Sequence, residues 1–246
     1  FLPTPREYKS HLDNYLDNIE NYKSALSIPV IGSLNGVTPG GWIAHARELQ
    51  DVGCDALEIN AYYIAANIEE TSLQVEQRYI QILEEVKKIV SIPVTMKLSS
   101  QFTSPGNFIS RLEHKGALGA VLFNRFYQSD INLETLEAIP KVHLSTPYES
   151  LLRIRWIALL RNRVKLSLAA TGGIHSGLDV VKALLVGADV TYLCSTLLHN
   201  GVDQLRVIKD ELVAWMETNE YESVEQMKGS SSYDNEINPA TVERVN

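Results

Sequence analysis

The stretch that decides the fold is KLSLAATGGIHSGLDVVKALLVGADVTYLCSTLL, residues 165–198. It opens with a short apolar run that ends in a pair of glycines, and it closes with a second apolar run from Val190. Between them, Ser176 and Asp179 have the spacing of a capping box, and Gly187 is typical of a helix end. A strand, a helix and a second strand over roughly 30 residues predict a βαβ unit with parallel strands.

The same unit repeats along the chain. Four earlier β-rich runs begin near Pro29 (PVIGSLNG), Ala56 (ALEINAYY), Pro93 (PVTMKLSS) and Gly119 (GAVLFNRF). Helical patterns separate the runs, such as VEQRYIQILEEVKKIV, whose valines, tyrosine and leucine form one apolar stripe. Strands that alternate with helices predict a parallel sheet, either open or closed into a barrel.

The regular repeat and the loops after the last two runs favour a (β/α)8 TIM barrel, whose phosphate sites commonly follow strands seven and eight. If the last two runs are those strands, the six runs are strands three to eight, and we expect strands one and two before Phe1. Residues 1–27 are then a helix that leads into the third strand. The sequence thus predicts a single partial barrel domain over 1–246, with a polar tail over 230–246.

Composition excludes several functions. The chain is 45% hydrophobic and 21% charged, which is typical of a globular protein, and its formal net charge of -8 disfavours nucleic-acid binding. No apolar run has the roughly 20 residues of a membrane span. The two cysteines form neither a disulfide framework nor a metal motif. Without a visible export signal, these features predict a cytoplasmic protein.

Polar residues alternate with apolar ones in the predicted strands, and we expect them to point into the barrel. Glu58 and Asn60 would point inward from one strand, Lys97 from the next and Asn124 from a third, so that they converge at one mouth. Lys97 either pairs with Glu58 or serves as a cation that stabilises negative charge on a ligand. An inward asparagine can equally satisfy a loop backbone.

The loops after the last two strands offer a phosphate site. ATGGI, residues 170–174, presents backbone N–H groups before a helix, and LCSTL, residues 193–197, adds N–H and hydroxyl donors at the next strand end. His175 is more typical of a loop or capping residue than of a catalytic one. Cys194 has no evident basic partner, and it is therefore interpreted as a small packing residue.

These segments resemble a known family. INAYY, VTMKLS, LFNRF, ATGGI and VTYLCSTLL stand in the order found in the dihydroorotate dehydrogenase family. SLNGVTPGGW, VEQRYI, LFNRFYQ and SLAATGGIHS make the chain most similar to the bacterial dihydroorotate dehydrogenase-like proteins, which are related to the soluble class 1 enzymes. The resemblance runs from about Pro29 to Gly201 and extends more loosely to the C-terminal helices.

The resemblance implies an FMN-containing (β/α)8 barrel that oxidises dihydroorotate to orotate in pyrimidine biosynthesis. Lys97 matches the strand lysine that contacts the flavin ring. Asn60 matches an asparagine at the face shared by ligand and flavin, and Asn124 matches an asparagine on the substrate side. A small-molecule substrate and a homodimer are further expectations of the resemblance.

The resemblance also assigns the FMN phosphate. Gly172 and Gly173 match the glycines that hold it, and Cys194 and Ser195 stand where the family usually has a Gly-Thr pair that completes the site.

The loop after the second run departs from the family pattern. The family's Asn-Leu-Ser-Cys-Pro-Asn reads Asn60-Ala-Tyr-Tyr63-Ile-Ala65 here. Tyr63 stands at the position of the catalytic base, and Ala65 replaces an asparagine expected to hold the orotate ring. Because a phenol has an ordinary pKa of about 10, Tyr63 is a better proton donor than base. We therefore expect a different substrate, or the reduction of an activated C=C bond.

Three functions fit these residues. The first is an FMN-dependent oxidoreductase acting on a CH–CH bond, with Tyr63 and Lys97 as catalytic residues. The second is a flavin- or phosphate-binding barrel without dihydroorotate activity. The third is a phosphosugar isomerase or aldolase, in which Lys97 would form a Schiff base. The retained lysine and glycines favour the first, whereas the altered loop favours the second.

Overall fold

The computed structural model describes residues 12–36, 39–125, 129–139 and 143–233. In this part of the chain the main element is a six-stranded parallel sheet, in which the strands lie side by side in the order in which they occur along the chain. Its strands are β1 (Ile31–Gly36), β2 (Ala56–Ala61), β3 (Val94–Leu98), β4 (Gly119–Leu122), β7 (Ser167–Thr171) and β8 (Val190–Tyr192). All six predicted strands are present, which confirms the predicted parallel α/β sheet.

Helices separate the strands. They are α1 (Leu12–Ala25), α2 (Pro39–Asp51), α3 (Ser72–Lys87), α4 (Pro105–His114), α5 (Ser150–Leu160), α6 (Gly177–Leu185), α7 (Ser195–Asn200), α8 (Gln204–Thr218) and α9 (Val224–Met227). The predicted capping box is confirmed at α6, where Ser176 and Asp179 each accept a backbone N–H from the other. A second capping box, which was not predicted, joins Thr71 and Gln74 at the start of α3.

The register of the strands aligns their polar residues. Asn35 of β1 lies beside Asn60 of β2, and Asn60 lies beside Lys97 of β3. In β3, Thr95 and Lys97 are half-buried, whereas the three apolar residues between and beside them are buried. This agrees with the predicted alternation, in which polar side chains point into the barrel and apolar ones face the helices.

Apolar side chains fill the space between the sheet and the helices. Leu57, Ile59 and Met96 are fully buried on the helix-facing side of β2 and β3. Tyr79 of α3 meets Phe108 of α4 edge to face, with ring centroids 5.8 Å apart, in a geometry that aromatic pairs favour. This layer packs against β2 and β3, the strands that carry the polar residues of the mouth.

The longest interval between strands contains more than the predicted single helix. Two short antiparallel strands, β5 (Asp130–Ile131) and β6 (Ala138–Ile139), come between β4 and α5, and a 3-10 turn, Pro147–Glu149, leads into α5. The Asn132 side chain stabilises the hairpin because it accepts the backbone N–H of Glu134.

Parts of other predictions fall outside the described residues. The N-terminal helix predicted over 1–27 is described only as α1, and the tail predicted over 230–246 is described only to residue 233. Within the described ranges no helix is both long and apolar enough to cross a membrane.

Candidate active site

A buried ion pair lies inside the curved sheet. Glu58 of β2 is only 3% exposed, and its Oε1 lies 3.6 Å from Nζ of Lys97. The Ser33 hydroxyl donates a hydrogen bond of 2.9 Å to the same oxygen. The other oxygen, Oε2, is buried without a hydrogen-bond partner among the described residues. The pairing that the sequence offered as one interpretation of Lys97 is therefore present, and it holds the ammonium group at the mouth.

Tyr192 brings the last strand to this pair. Its ring centroid lies 5.8 Å from Nζ of Lys97, although β8 and β3 are separated in the sheet by two strands. Burial and the nearby Glu58 carboxylate raise the pKa of Tyr192 above its ordinary value. The phenol is therefore neutral at physiological pH, and its contact shows that the sheet curves around the ion pair.

Three asparagines form a row of amides across the mouth. The Asn124 side-chain N–H donates to Oδ1 of Asn60 at 2.6 Å, and the Asn60 side-chain N–H donates in turn to Oδ1 of Asn35. The structure thus brings the two predicted asparagines together. Asn35 was missed, although SLNG in β1 repeats the polar alternation of the neighbouring strand.

The glycine turn after β7 has left-handed backbone angles, with φ of +87° at Gly172 and +84° at Gly173. A Cβ at Gly173 would lie 2.2 Å from the backbone nitrogen of Ser150, so the start of α5 occupies the space of a side chain. The glycine is therefore required by packing within the protein, and its role in binding a phosphate stays a prediction.

Hydroxyl groups and a backbone amide meet beside this turn. The Gly173 N–H donates to Oγ of Ser145 at 3.2 Å, and the Ser145 hydroxyl donates to Oγ of Ser195 at 2.9 Å. Nε2 of His175 lies 3.4 Å from Oγ of Ser145, and the His175 backbone N–H donates to Asp179 in the α6 cap. Ser145 was not predicted, because it lies in a loop far from the glycines in sequence.

Two arginines lie behind the turn. Arg153 is buried, and it donates to the backbone oxygens of Thr171, Glu149 and Phe123, and so joins the ends of β7, β4 and the 3-10 turn. Burial, together with the neighbouring Arg125 charge, lowers the pKa of Arg153. Arg125 follows Asn124 directly, and its Nη2 lies 3.4 Å from the Glu149 carboxylate.

Some of these groups line one cavity of about 280 Å³, but Glu58, Asn60 and Arg153 are not among its lining residues. The predicted site residues that line it are Lys97, Asn124, Gly172, Gly173, Cys194 and Ser195. Arg125, Ser145 and Tyr192, which sequence reasoning did not select, also line it. The cavity therefore combines an ammonium group, a guanidinium group and hydroxyls, which are donors suited to an anionic ligand.

Tyr63 lies in a different depression, of about 460 Å³, on the side of α3. Its hydroxyl donates to Oε2 of Glu70 at 2.5 Å, and the Arg78 guanidinium lies 4.3 Å above its ring while also binding Glu70. The hydrogen bond to Glu70 and desolvation raise the pKa of Tyr63. The structure therefore does not bring Tyr63 together with Lys97.

Comparison with known proteins gives the family of the chain. A family profile described as dihydroorotate dehydrogenase matches residues 8–216, which is most of the sequence. The chain belongs to the dihydroorotate dehydrogenase family. It is therefore a dihydroorotate dehydrogenase-like oxidoreductase, and the resemblance carried by its motifs is confirmed.

Two relatives are catalytic subunits of dihydroorotate dehydrogenase B (NAD(+)). The protein of Halalkalibacterium halodurans is 26% identical over 240 residues, covering 85% of this chain and 77% of the relative. The protein of Thermoplasma acidophilum is 24% identical over 224 residues, covering 89% and 73%.

A solved structure shares the fold. The crystal structure of the dihydroorotate dehydrogenase of Eimeria tenella in complex with ferulenol has a TM-score of 0.68 at 16% sequence identity. The match covers 90% of this chain and 68% of that one. This likeness supports the barrel architecture predicted from the repeats.

Proposed function

We propose that the protein is an FMN-dependent oxidoreductase that acts on the CH–CH bond of dihydroorotate or of a related ring, or that reduces the corresponding C=C bond. Family membership supports the reaction class. When bound, FMN supplies the redox chemistry, as the acceptor or donor of a hydride. The protein supplies binding, orientation and charge.

The observation that carries the proposal is the position of Lys97. Its ammonium group lines the cavity and is held from behind by Glu58, 3.6 Å away. A fixed cation stabilises negative charge that develops on a bound ring, and it does so more strongly in a site shielded from water. Lys97 is therefore proposed to lie beside the flavin ring and to stabilise its reduced, anionic form.

The residues present fit the phosphate of the nucleotide. The cavity offers the hydroxyl of Ser195 and the guanidinium group of Arg125, whereas the Gly173 N–H and the Ser145 hydroxyl already donate to Ser145 and Ser195. Two of the Arg125 nitrogens are buried without a hydrogen-bond partner in the described part of the chain. Hydroxyl, backbone amide and guanidinium donors are the groups that bind phosphate. Gly172 and Cys194 are proposed to shape the walls of this part of the site.

Substrate positioning is assigned to the amide row. Asn124 lines the cavity, and its hydrogen bond to Asn60 fixes the orientation of both side chains. Asn124 is therefore proposed to contact the substrate, and Asn60 to bind at the same face.

Tyr63 supports a second candidate function, a flavin-binding barrel without dihydroorotate activity. This residue stands at the position of the family's catalytic base, yet its hydroxyl donates to Glu70 and it does not line the cavity. A hydroxyl bound to a carboxylate in another depression does not reach a ligand beside Lys97. This observation favours the second candidate.

Purification in the presence of FMN tests both candidates. We expect a yellow protein with the visible absorption bands of an oxidised flavin, which bleach when dihydroorotate is added without oxygen. Lys97→Met should shift the flavin reduction potential downward, because the reduced anion loses its cation, whereas Lys209→Met at an exposed position of α8 should not.

Three results distinguish the two candidate functions. Bleaching supports the first candidate. A yellow protein that dihydroorotate and unsaturated acceptors leave unchanged supports the second. A chain that binds no FMN contradicts both.

A further inference from the structure

The Arg125 side chain has hydrogen-bonding capacity that the described protein leaves unused. It is 26% exposed, and its Nη2 reaches Oε1 of Glu149 at 3.4 Å. Nε and Nη1 are buried, and neither has a hydrogen-bond partner among the described residues. A buried donor without a partner destabilises a folded protein, and the penalty is larger for a charged group. Such an arrangement is favourable when a ligand provides the missing acceptor.

The charge around Arg125 is also incompletely balanced. Arg153 lies close to Arg125, and burial together with the Arg125 charge lowers the pKa of Arg153. The hydrogen bonds of Arg153 go to the uncharged backbone oxygens of Thr171, Glu149 and Phe123. The two guanidinium groups thus share the Glu149 carboxylate as an acidic neighbour. A further negative charge would be stabilised here.

Arg125 opens onto the cavity of the proposed active site. It shares the lining with Lys97 and Gly173, between the strand ends of β3, β4 and β7. An anion that enters this cavity can therefore reach the donors of Arg125. Because arginine is always charged and presents several donors, it binds carboxylate and phosphate groups strongly.

We infer that Arg125 is the anion-binding residue of this cavity and contacts a carboxylate of the substrate or the phosphate of the flavin nucleotide. The inference rests on the proposed function for the identity of these ligands. The shared chemistry is an oxyanion, and paired ligands with and without that oxyanion separate the two sources. Orotate is compared with uracil, which lacks the carboxylate, and FMN is compared with riboflavin, which lacks the phosphate.

The test uses Arg125→Gln, with Arg125→Lys as the conservative variant and Arg47→Gln as the control. Arg47 is exposed on α2, away from the residues that line the cavity, so its variant removes the same charge without affecting the site. Binding is measured by calorimetry and by the shift of Tm. Inorganic phosphate is included as an anion that requires no flavin site.

We expect Arg125→Gln to weaken the binding of the ligand that carries the relevant oxyanion roughly 10- to 100-fold, which is the range for loss of hydrogen bonds to a charged group. Its neutral counterpart should bind as before. Arg125→Lys should recover part of the affinity, and Arg47→Gln should bind like the wild type. The Tm of unliganded Arg125→Gln should equal or exceed that of the wild type, because an unsatisfied buried cation is removed.

Other outcomes overturn the inference. If Arg125→Gln weakens the binding of both ligands of a pair equally, or of neither, Arg125 does not bind the oxyanion. A fall in the Tm of the unliganded variant would then make Arg125 a structural partner of Glu149. If the wild-type chain binds neither FMN nor riboflavin, the proposed function fails, and orotate, uracil and inorganic phosphate then decide about Arg125 alone. The inference is also wrong if the wild-type chain binds orotate no more tightly than uracil and FMN no more tightly than riboflavin.

Discussion

The substitution Gly173→Ala tests why the turn after β7 contains glycine. The φ angle of +84° is unfavourable for an L-residue by about 1–2 kcal/mol. The new Cβ would also lie 2.2 Å from the nitrogen of Ser150 and 2.9 Å from its Cα, inside any contact distance. Overpacking of a rigid interior costs about 1–3 kcal/mol in addition. We therefore expect the free energy of unfolding to fall by about 2–5 kcal/mol.

Gly53→Ala is the matched control. Its φ of +93° carries a similar backbone penalty, but a Cβ there would meet nothing within 4 Å. The expected loss is about 1–2 kcal/mol. Urea unfolding at neutral pH measures both variants, and the Tm of a chain of this size falls by roughly 2–4 °C for each kcal/mol. Equal losses for Gly173→Ala and Gly53→Ala would refute the packing argument and favour a ligand as the reason for the glycine at position 173.

Further predictions concern the Glu58–Lys97 ion pair, Tyr63 and Asp189. Glu58→Gln should lower the free energy of unfolding by about 3 kcal/mol, because Lys97 loses its partner, and the Glu58→Gln/Lys97→Met double variant should recover most of it; an unchanged unfolding curve for the single variant would contradict this. Tyr63→Phe should lower the stability slightly, through loss of the hydrogen bond to Glu70, without changing the rate of flavin reduction, and stopped-flow kinetics would reveal any catalytic role of the hydroxyl. Burial alone would raise the pKa of Asp189, but the Leu168 N–H and Lys228 outweigh it and lower that pKa. The loss of stability in Asp189→Asn should therefore be greatest above about pH 4 and should vanish as the pH falls through the lowered pKa. Urea unfolding across this pH range measures the difference between variant and wild type, and a constant difference would contradict the prediction.

The strands and their polar faces could be predicted because both follow from local periodicity. In a parallel sheet the alternation along one strand fixes which residues share a face with the next strand. This is why Asn60, Lys97 and Asn124, which lie far apart in sequence, could be predicted to converge, and why the Asn60–Asn124 bond is observed. The same alternation in β1 would have added Asn35.

The direction of loop residues could not be predicted in this way. Tyr63 lies just after β2, where the chain has left the sheet, and the hydrogen bond to Glu70 decides which way its ring points. Glu70 precedes the capped start of α3, so the partner is supplied by a different element. Arg153 is similar, because it is a helix residue whose acceptors are backbone oxygens of three separate segments.

The charge of the cavity is opposite in sign to that of the chain. The protein has a formal net charge of -8, whereas Lys97 and Arg125 line the cavity, where they pair with the carboxylates of Glu58 and Glu149. At physiological ionic strength, interactions between exposed charges are largely screened beyond about 8 Å. A small anion at the mouth is therefore influenced mainly by the nearby cations, which act at short range and with little screening. The proposed preference for an anionic ligand therefore depends on these few cations, and the net negative charge of the chain does not oppose it.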